Sequence, residues 1–218
     1  MKEIIRKIYN NANSIKIIMA HHVSDEKPTL SSCIISTSAF KEFIRDKSFV
    51  NIYDALENIK TYNGNYVLTF DDALSDLYSF VYPTLRESNI PFTAFISANL
   101  IDKPGYISTE QLKEMAENEL VTIGSHGLNH LDLVECSDTV ICEEILESKS
   151  LIESIIQKPV ELFAYPYGKA TQREINKVKK AGYDFAFGVL PRKMNAFAKS
   201  FNRFSLPRYN LTNECIPE

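Results

Sequence analysis

The stretch YVLTFDDALSDLY (66–78) runs from an apolar, β-branched and aromatic segment into two adjacent aspartates, Asp71 and Asp72, and then into residues of helical period. It reads as a buried strand that ends at a carboxylate pair and feeds a helix. Two neighbouring negative charges at a buried strand end repel each other and lose solvation, so something must hold or use them. The same alternation recurs along the chain. SIKIIMAHHV (14–23), NYVLTFDD (65–72), PFTAFISA (91–98), LVTIGSH (120–126), ELFAYPYG (161–168) and DFAFGV (184–189) read as strands, with SLPRYN (205–210) as one more. LSDLYSFVYPTLRES, STEQLKEMAEN, SDTVICEEILESKSLIESIIQ and TQREINKVKKAG carry the period and N-terminal Ser or Thr caps of amphipathic helices. Strands alternating with helices predict an α/β fold with a parallel sheet and helical crossovers. Pro83 is expected to kink or divide the first helix, and SDEKPTLSSCIISTSAF (24–40) to form a long loop running into a short helix.

At 218 residues the chain can bury a sizeable core, and without a Gly/Ser/Pro-rich linker it reads as one domain, 1–218. The formal net charge is −4 with scattered basic residues, which argues against a nucleic-acid or polybasic membrane surface and favours a neutral or weakly charged small substrate. In MKEIIRKIYNNANSIKIIMA (1–20), Glu3, Arg6, Lys7 and Lys16 interrupt each apolar stretch before it reaches the length of a signal-peptide core or membrane span, so the expectation is a cytoplasmic chain with no integral membrane segment. Cys33, Cys136, Cys142 and Cys215 show no CxxC spacing and read as buried thiols. Trp is absent, leaving Tyr and Phe to do any sugar stacking.

In parallel α/β folds active sites lie at the carboxyl ends of strands, where Asp71, Asp72, His126 and the YPYG segment all fall. GSHGLNH (124–130) holds half of the chain's four histidines, His126 and His130, four apart. That spacing puts both rings on one side of a helical turn, or lets a loop fold them together. Two imidazoles and one carboxylate, with Asp72 as candidate third ligand, suit a divalent transition metal with a position left for water or substrate. A cation there would neutralise one carboxylate and leave the other free to act on water.

These residues carry a resemblance. TFDDA (69–73), SHGLNH (125–130) and FAYPYG (163–168), in that order, resemble the first three motifs of the polysaccharide deacetylase superfamily, carbohydrate esterase family 4, also known for its NodB-homology domain, with usual forms TFDDG, HSxxH or HTxxH, and RxPYG. The similarity runs from about His21 to Arg208. It implies a distorted (β/α)7 barrel and a divalent metal, zinc first with cobalt or nickel as alternatives, used to remove N-acetyl groups from amino sugars. Carried across by position, it implies Asp71 as general base, Asp72, His126 and His130 as metal ligands, and the Tyr167 backbone N–H as donor to the oxyanion.

The departures matter as well. Ala164 stands where the third motif usually has Arg, Gly127 where Ser or Thr is usual, and no histidine follows His130, so the later Leu-x-His motif that usually supplies the acid is missing. IMAHHVSD (18–25) resembles the MYHHVSD opening of the branch that deacetylates biofilm poly-N-acetylglucosamine, which implies His21 as the acid, with His22 as the alternative and Ala20 in place of Tyr. RFSLPRYN (203–210) resembles that branch's ending and implies that Arg208 reaches Asp71 in place of the absent arginine. The expected function is a metal-dependent N-deacetylase of an amino sugar in a glycan or glycan precursor made inside the cell. A deformylase or other linear amide hydrolase, and a catalytically silent glycan-binding relative, are the rivals, and the oligomeric state is left open.

Overall fold

The computed structural model describes residues 15–26, 33–57, 65–189 and 203–217; the charge-interrupted start at 1–14, and with it the export reading, lies outside them, as does 27–32 within the expected loop 24–40. The apolar runs become strands β1 (Lys16–Ala20), β2 (His22–Val23), β3 (Ile34–Ile35), β4 (Tyr66–Phe70), β5 (Phe92–Ile96), β6 (Val121–Ser125), β7 (Leu162–Ala164), β8 (Phe185–Phe187) and β9 (Tyr209–Asn210). Seven of them form one parallel sheet in the order β8-β7-β6-β5-β4-β1-β9, while β2 and β3 pair separately. One short segment joins the sheet's two ends. Leu206 exchanges backbone bonds of 2.8 Å with Ala186 and Gly188 beside β8, and three residues later Tyr209 and Asn210 lie in register with Ile18 and Met19 of β1. The sheet therefore curls into a distorted α/β barrel.

The period of two along each strand sorts side chains between inside and outside. Ile15, Ile17, Val67, Phe95, Leu162, Ala164, Phe187 and Leu206 form the inner cluster. The alternate residues, among them Ile18, Leu68, Phe70, Ala94, Ile96 and Phe163, pack outward under the helices. Phe95 is wholly buried, and burying a ring of that size contributes ~3 kcal/mol. Its place requires Gly124 on the neighbouring strand, because a Cβ there would sit 2.6 Å from the Phe95 ring.

Among the described residues the α-helices are α1 (Thr37–Arg45), α2 (Ile52–Glu57), α3 (Tyr82–Glu87), α4 (Thr109–Glu117), α5 (Asp138–Ile156) and α6 (Gln172–Lys180). Ser36, Ser108, Ser137 and Thr171 cap α1, α4, α5 and α6, and two of these caps are reciprocal boxes with Gln111 and Glu174. Pro83 does not divide its segment: 75–87 stays helical, and a π turn over Leu77–Val81, in which Tyr82 N–H donates to Leu77 O, accommodates the missing proline N–H just ahead of α3. Two further expectations are corrected, and one helix stands where none was expected. The 14–23 run breaks after Ala20, so His22 belongs to the β2–β3 pair rather than to β1. The 161–168 run is a strand only to Ala164, and Pro166–Gly168 is a 3₁₀ turn. The six-residue α2, too short to show a helical period, supplies Ile52 and Ala55 to the inner cluster near the N-terminal end of β4.

Candidate metal centre and catalytic cleft

Val67, Thr69 and Asp71 share the inward face of β4, so the strand's own alternation drives the first carboxylate into the barrel, where it is 2% exposed. The chain then enters the left-handed region at Asp72 (φ 71°) and Ala73 (φ 57°), a conformation costing roughly 1–3 kcal/mol per residue. That turn brings Asp72 to the same side as Asp71. The loop after β5 holds it: Ile107 N–H donates to Ala73 O at 3.1 Å, Ser75 N–H donates to Gly105 O at 2.9 Å, and Leu74 bridges Tyr106.

The two carboxylates have different partners. Asp71 takes both terminal nitrogens of Arg208, Nη1 to Oδ1 and Nη2 to Oδ2 at 2.6 Å each. Arg208 Nη1 also donates to Thr69 Oγ1 at 3.1 Å, Thr69 donates onward to Ile18 O at 2.8 Å, and the guanidinium lies 5.2 Å from the centre of the Phe95 ring. Burial pushes the Asp71 carboxyl up, but the charge and the two hydrogen bonds of Arg208 outweigh it and hold the group well below the usual carboxylate range. Ala164, small and inward-facing at the position of the absent motif arginine, lies in the same cluster as Phe95.

Asp72 instead faces imidazoles. Its Oδ1 lies 3.6 Å from His126 Nε2 and 3.2 Å from His130 Nε2. His126 ends β6, buried, with its Nδ1–H donating to Ala164 O at 2.8 Å, which leaves the Nε2 lone pair facing the carboxylates. His130 follows in a loop, not a helix, with φ 58°. Burial lowers the His126 pKa despite the nearby carboxylates. At His130 burial pulls the same way, but Asp72 prevails and raises it. Asp72 itself is held below the usual range, against burial, by the surrounding imidazoles. The donor atoms of Asp72, His126 and His130 lie within 4.8 Å of one another, yet buried Asp72 Oδ1 is aligned in a hydrogen bond with neither ring. An anionic oxygen and two nitrogen lone pairs converging on one point without bonding each other fit a divalent cation at that point.

These groups line a cleft of about 460 Å³ together with Met19, His21, Cys33, Tyr106, Tyr167 and Asn210. His21 and His22 part company. His21 faces the cleft, whereas His22 Nδ1 lies 2.6 Å from Asp76 Oδ1 and the other oxygen of Asp76 accepts from Val23 N–H. Tyr167 (φ 58°) sits at the tip of the 3₁₀ turn, 59% exposed, its ring 4.9 Å from that of His130. Arg203, the other C-terminal arginine, pairs with Asp184 at the surface, whereas Arg208 is buried. Sequence reasoning passed over Tyr106, Asp76 and Glu144. Only Asp76, one helical turn after Asp72, carried a spacing that could have drawn notice.

Among the described residues no helix is long and apolar enough to cross a membrane. The family model "Polysaccharide deacetylase" matches residues 59–186. A poly-beta-1,6-N-acetyl-D-glucosamine N-deacetylase of Staphylococcus aureus is 27% identical over 162 residues, 68% of this chain; the chain spans 55% of that relative's length. The solved structure of IcaB from Ammonifex degensii superposes with a TM-score of 0.79 over 93% of each chain at 21% identity. A de-N-acetylase from Aggregatibacter actinomycetemcomitans does so at 0.75 over 92% of this chain and 95% of that one, at 20% identity. With more than half of its length inside the family model, the chain belongs to the polysaccharide deacetylase family.

Proposed function

We propose that residues 1–218 form one catalytic domain, a metal-dependent N-deacetylase acting on an N-acetylated amino sugar. The observation that carries this is the convergence of Asp72, His126 and His130 beside a second carboxylate, Asp71, that Arg208 holds ionised. The oxygen and two imidazole ligands suit zinc, with cobalt or nickel as substitutes. When bound, such an ion lowers the pKa of water and polarises an amide carbonyl. Asp71 takes the proton of the attacking water, and its pairing with Arg208 keeps it in the ionised form across the neutral range. The Tyr167 N–H donates to the oxyanion at the exposed turn. His21, at the end of β1 beside Asp71, returns a proton to the departing amine, completing the acid–base pair without a late histidine.

The kinship with poly-N-acetylglucosamine deacetylases, together with the His-His-Val opening, supports a β-linked N-acetylglucosamine glycan or its precursor as substrate. Tyr106 and Tyr167 are the aromatic surfaces in the cleft on which a sugar ring can stack. Acetate release from free, nucleotide-linked and oligomeric N-acetylhexosamines, with zinc or cobalt supplied and Asp71→Asn as control, tests the reading. Turnover by the wild type alone supports it. Release of formate from formylated analogues in preference to acetate would move the enzyme to the deformylase reading. A zinc-loaded protein inert on the whole panel would point to a glycan-binding relative.

A further inference from the structure

Glu144 lies on α5, a helix the metal centre does not otherwise use, and its side chain is almost completely buried at 1% exposure. Among the described residues no lysine or arginine forms an ion pair with it. Its carboxylate turns instead to the loop between the two histidines. Oε2 accepts the backbone N–H of Leu128 and of Asn129 at 2.9 Å each, and Oε1 accepts from the Asn129 side-chain amide at 2.6 Å. A carboxylate in this setting costs solvation, which these three donors offset.

The other side of the same loop is held as firmly. Ala98 N–H donates to Gly127 O at 3.0 Å and Asn99 N–H to Leu128 O at 2.8 Å. Asn99 Nδ2 donates to Asn129 Oδ1 at 2.8 Å, which fixes the Asn129 amide with its NH₂ toward Glu144. Gly127 N–H is taken up by Ser125 Oγ at 3.2 Å. The loop also departs from ordinary backbone at both ends, with Gly127 at φ 81° and His130 at φ 58°, and a Cβ at Gly127 would sit 3.1 Å from Glu144 Oε2. A left-handed histidine persists only where its surroundings over-determine it.

We infer that Glu144 is a positioning residue: its carboxylate clamps residues 128–129 so that His130 is presented to the metal point already shaped by Asp72 and His126. The inference rests on the metal reading above. It assigns to a buried acid 14 residues beyond His130 the pre-organisation that a short loop cannot supply for itself, since ordering a ligand on binding weakens affinity.

The test is zinc affinity, measured by competition with a chromophoric chelator, together with the visible spectrum of the cobalt-substituted protein and the melting temperature without metal. Glu144→Gln keeps the shape and one acceptor oxygen but turns an NH₂ group toward the Asn129 NH₂. It should weaken zinc binding by roughly 10–100-fold and alter the cobalt spectrum. Asn129→Ala, at an exposed position that keeps the backbone bonds, should weaken zinc binding by a smaller factor, roughly threefold or more, and carries the test if the Gln variant does not fold. Glu174→Gln removes a different buried carboxylate, the capping partner of Thr171, and should lower the melting temperature with zinc affinity unchanged. Wild-type affinity in both loop variants would overturn the inference while leaving the metal centre standing. A wild type that binds no zinc would bring down both.

Discussion

The two walls of the cleft are built differently. One wall, the strand-end pair 69–73 and 125–130, supplies Asp72, His126 and His130 from two short stretches whose residues are close in sequence. The other draws His21 from the end of β1 and Arg208 from the approach to β9, with 137 residues separating Arg208 from the Asp71 it grips. The first wall places ligands through local backbone geometry, the left-handed turns at Asp72 and His130. The second exists only because the segment 203–211 joins β8 to β1 and brings an arginine into the barrel. Metal binding should therefore answer to the first wall, and proton transfer to the second together with Asp71, which stands between them.

The largest expected effect tests that division at Asp71. Asp71→Asn should cut turnover by about 10⁴-fold while zinc stoichiometry stays at the wild-type value, the upper end of what general-base catalysis contributes. Parallel loss of zinc would place Asp71 among the ligands and erase the distinction between the walls. On the second wall, His21→Ala should slow turnover by about 10²-fold with zinc retained. A larger loss in His22→Ala would exchange the roles of the two histidines.

Arg208→Met tests the long-range support. In the wild type the Asp71 pKa is depressed below 3.8, so the pair contributes stability above that pH and loses it as pH falls through the lower folded value. Without the guanidinium, the strongest counterweight to burial is gone and the carboxyl rises. The acid limb of the pH–rate profile should then move upward, and the protein should lose ~3–5 kcal/mol at neutral pH from a buried, uncompensated charge. An unmoved acid limb would show that Arg208 does not set the state of the base. The smallest effect belongs to His22→Ala, which loses the 2.6 Å contact to Asp76 outside the cleft. It should cost ~1 kcal/mol in chemical denaturation and little turnover.

What could be read from the chain followed the same division. The strands and helices from 65 to 189 were legible because their periods of 2 and 3.6 and their Ser/Thr caps are local signals, and the metal-ligand candidates sat at strand ends that those signals marked. The break after Ala20 was not legible: SIKIIMAHHV carries no Gly, Pro or other turn signal between Ala20 and Val23, and only pairing with Ile34 and Ile35 takes His22 out of β1. Nor was α2, whose six residues bury Ile52 and Ala55 without completing a recognisable period. Glu144 gave no sign at all, since a glutamate in an amphipathic helix ordinarily faces water.

From the chain alone follow the alternating α/β order, the positions of Asp71, Asp72, His126 and His130 at carboxyl ends of strands, and the family to which these motifs point. Each depends on contacts among near neighbours in the chain. The folded barrel adds what distance in the chain hides: the two-pronged grip of Arg208 on Asp71 that the motifs could only imply, the Asp76 contact that turns His22 away while His21 faces the cleft, and the hold of Glu144 on the histidine loop. Those outcomes depend on how the barrel closes, which brings distant side chains into a shared interior where an unpartnered charge is too costly to leave.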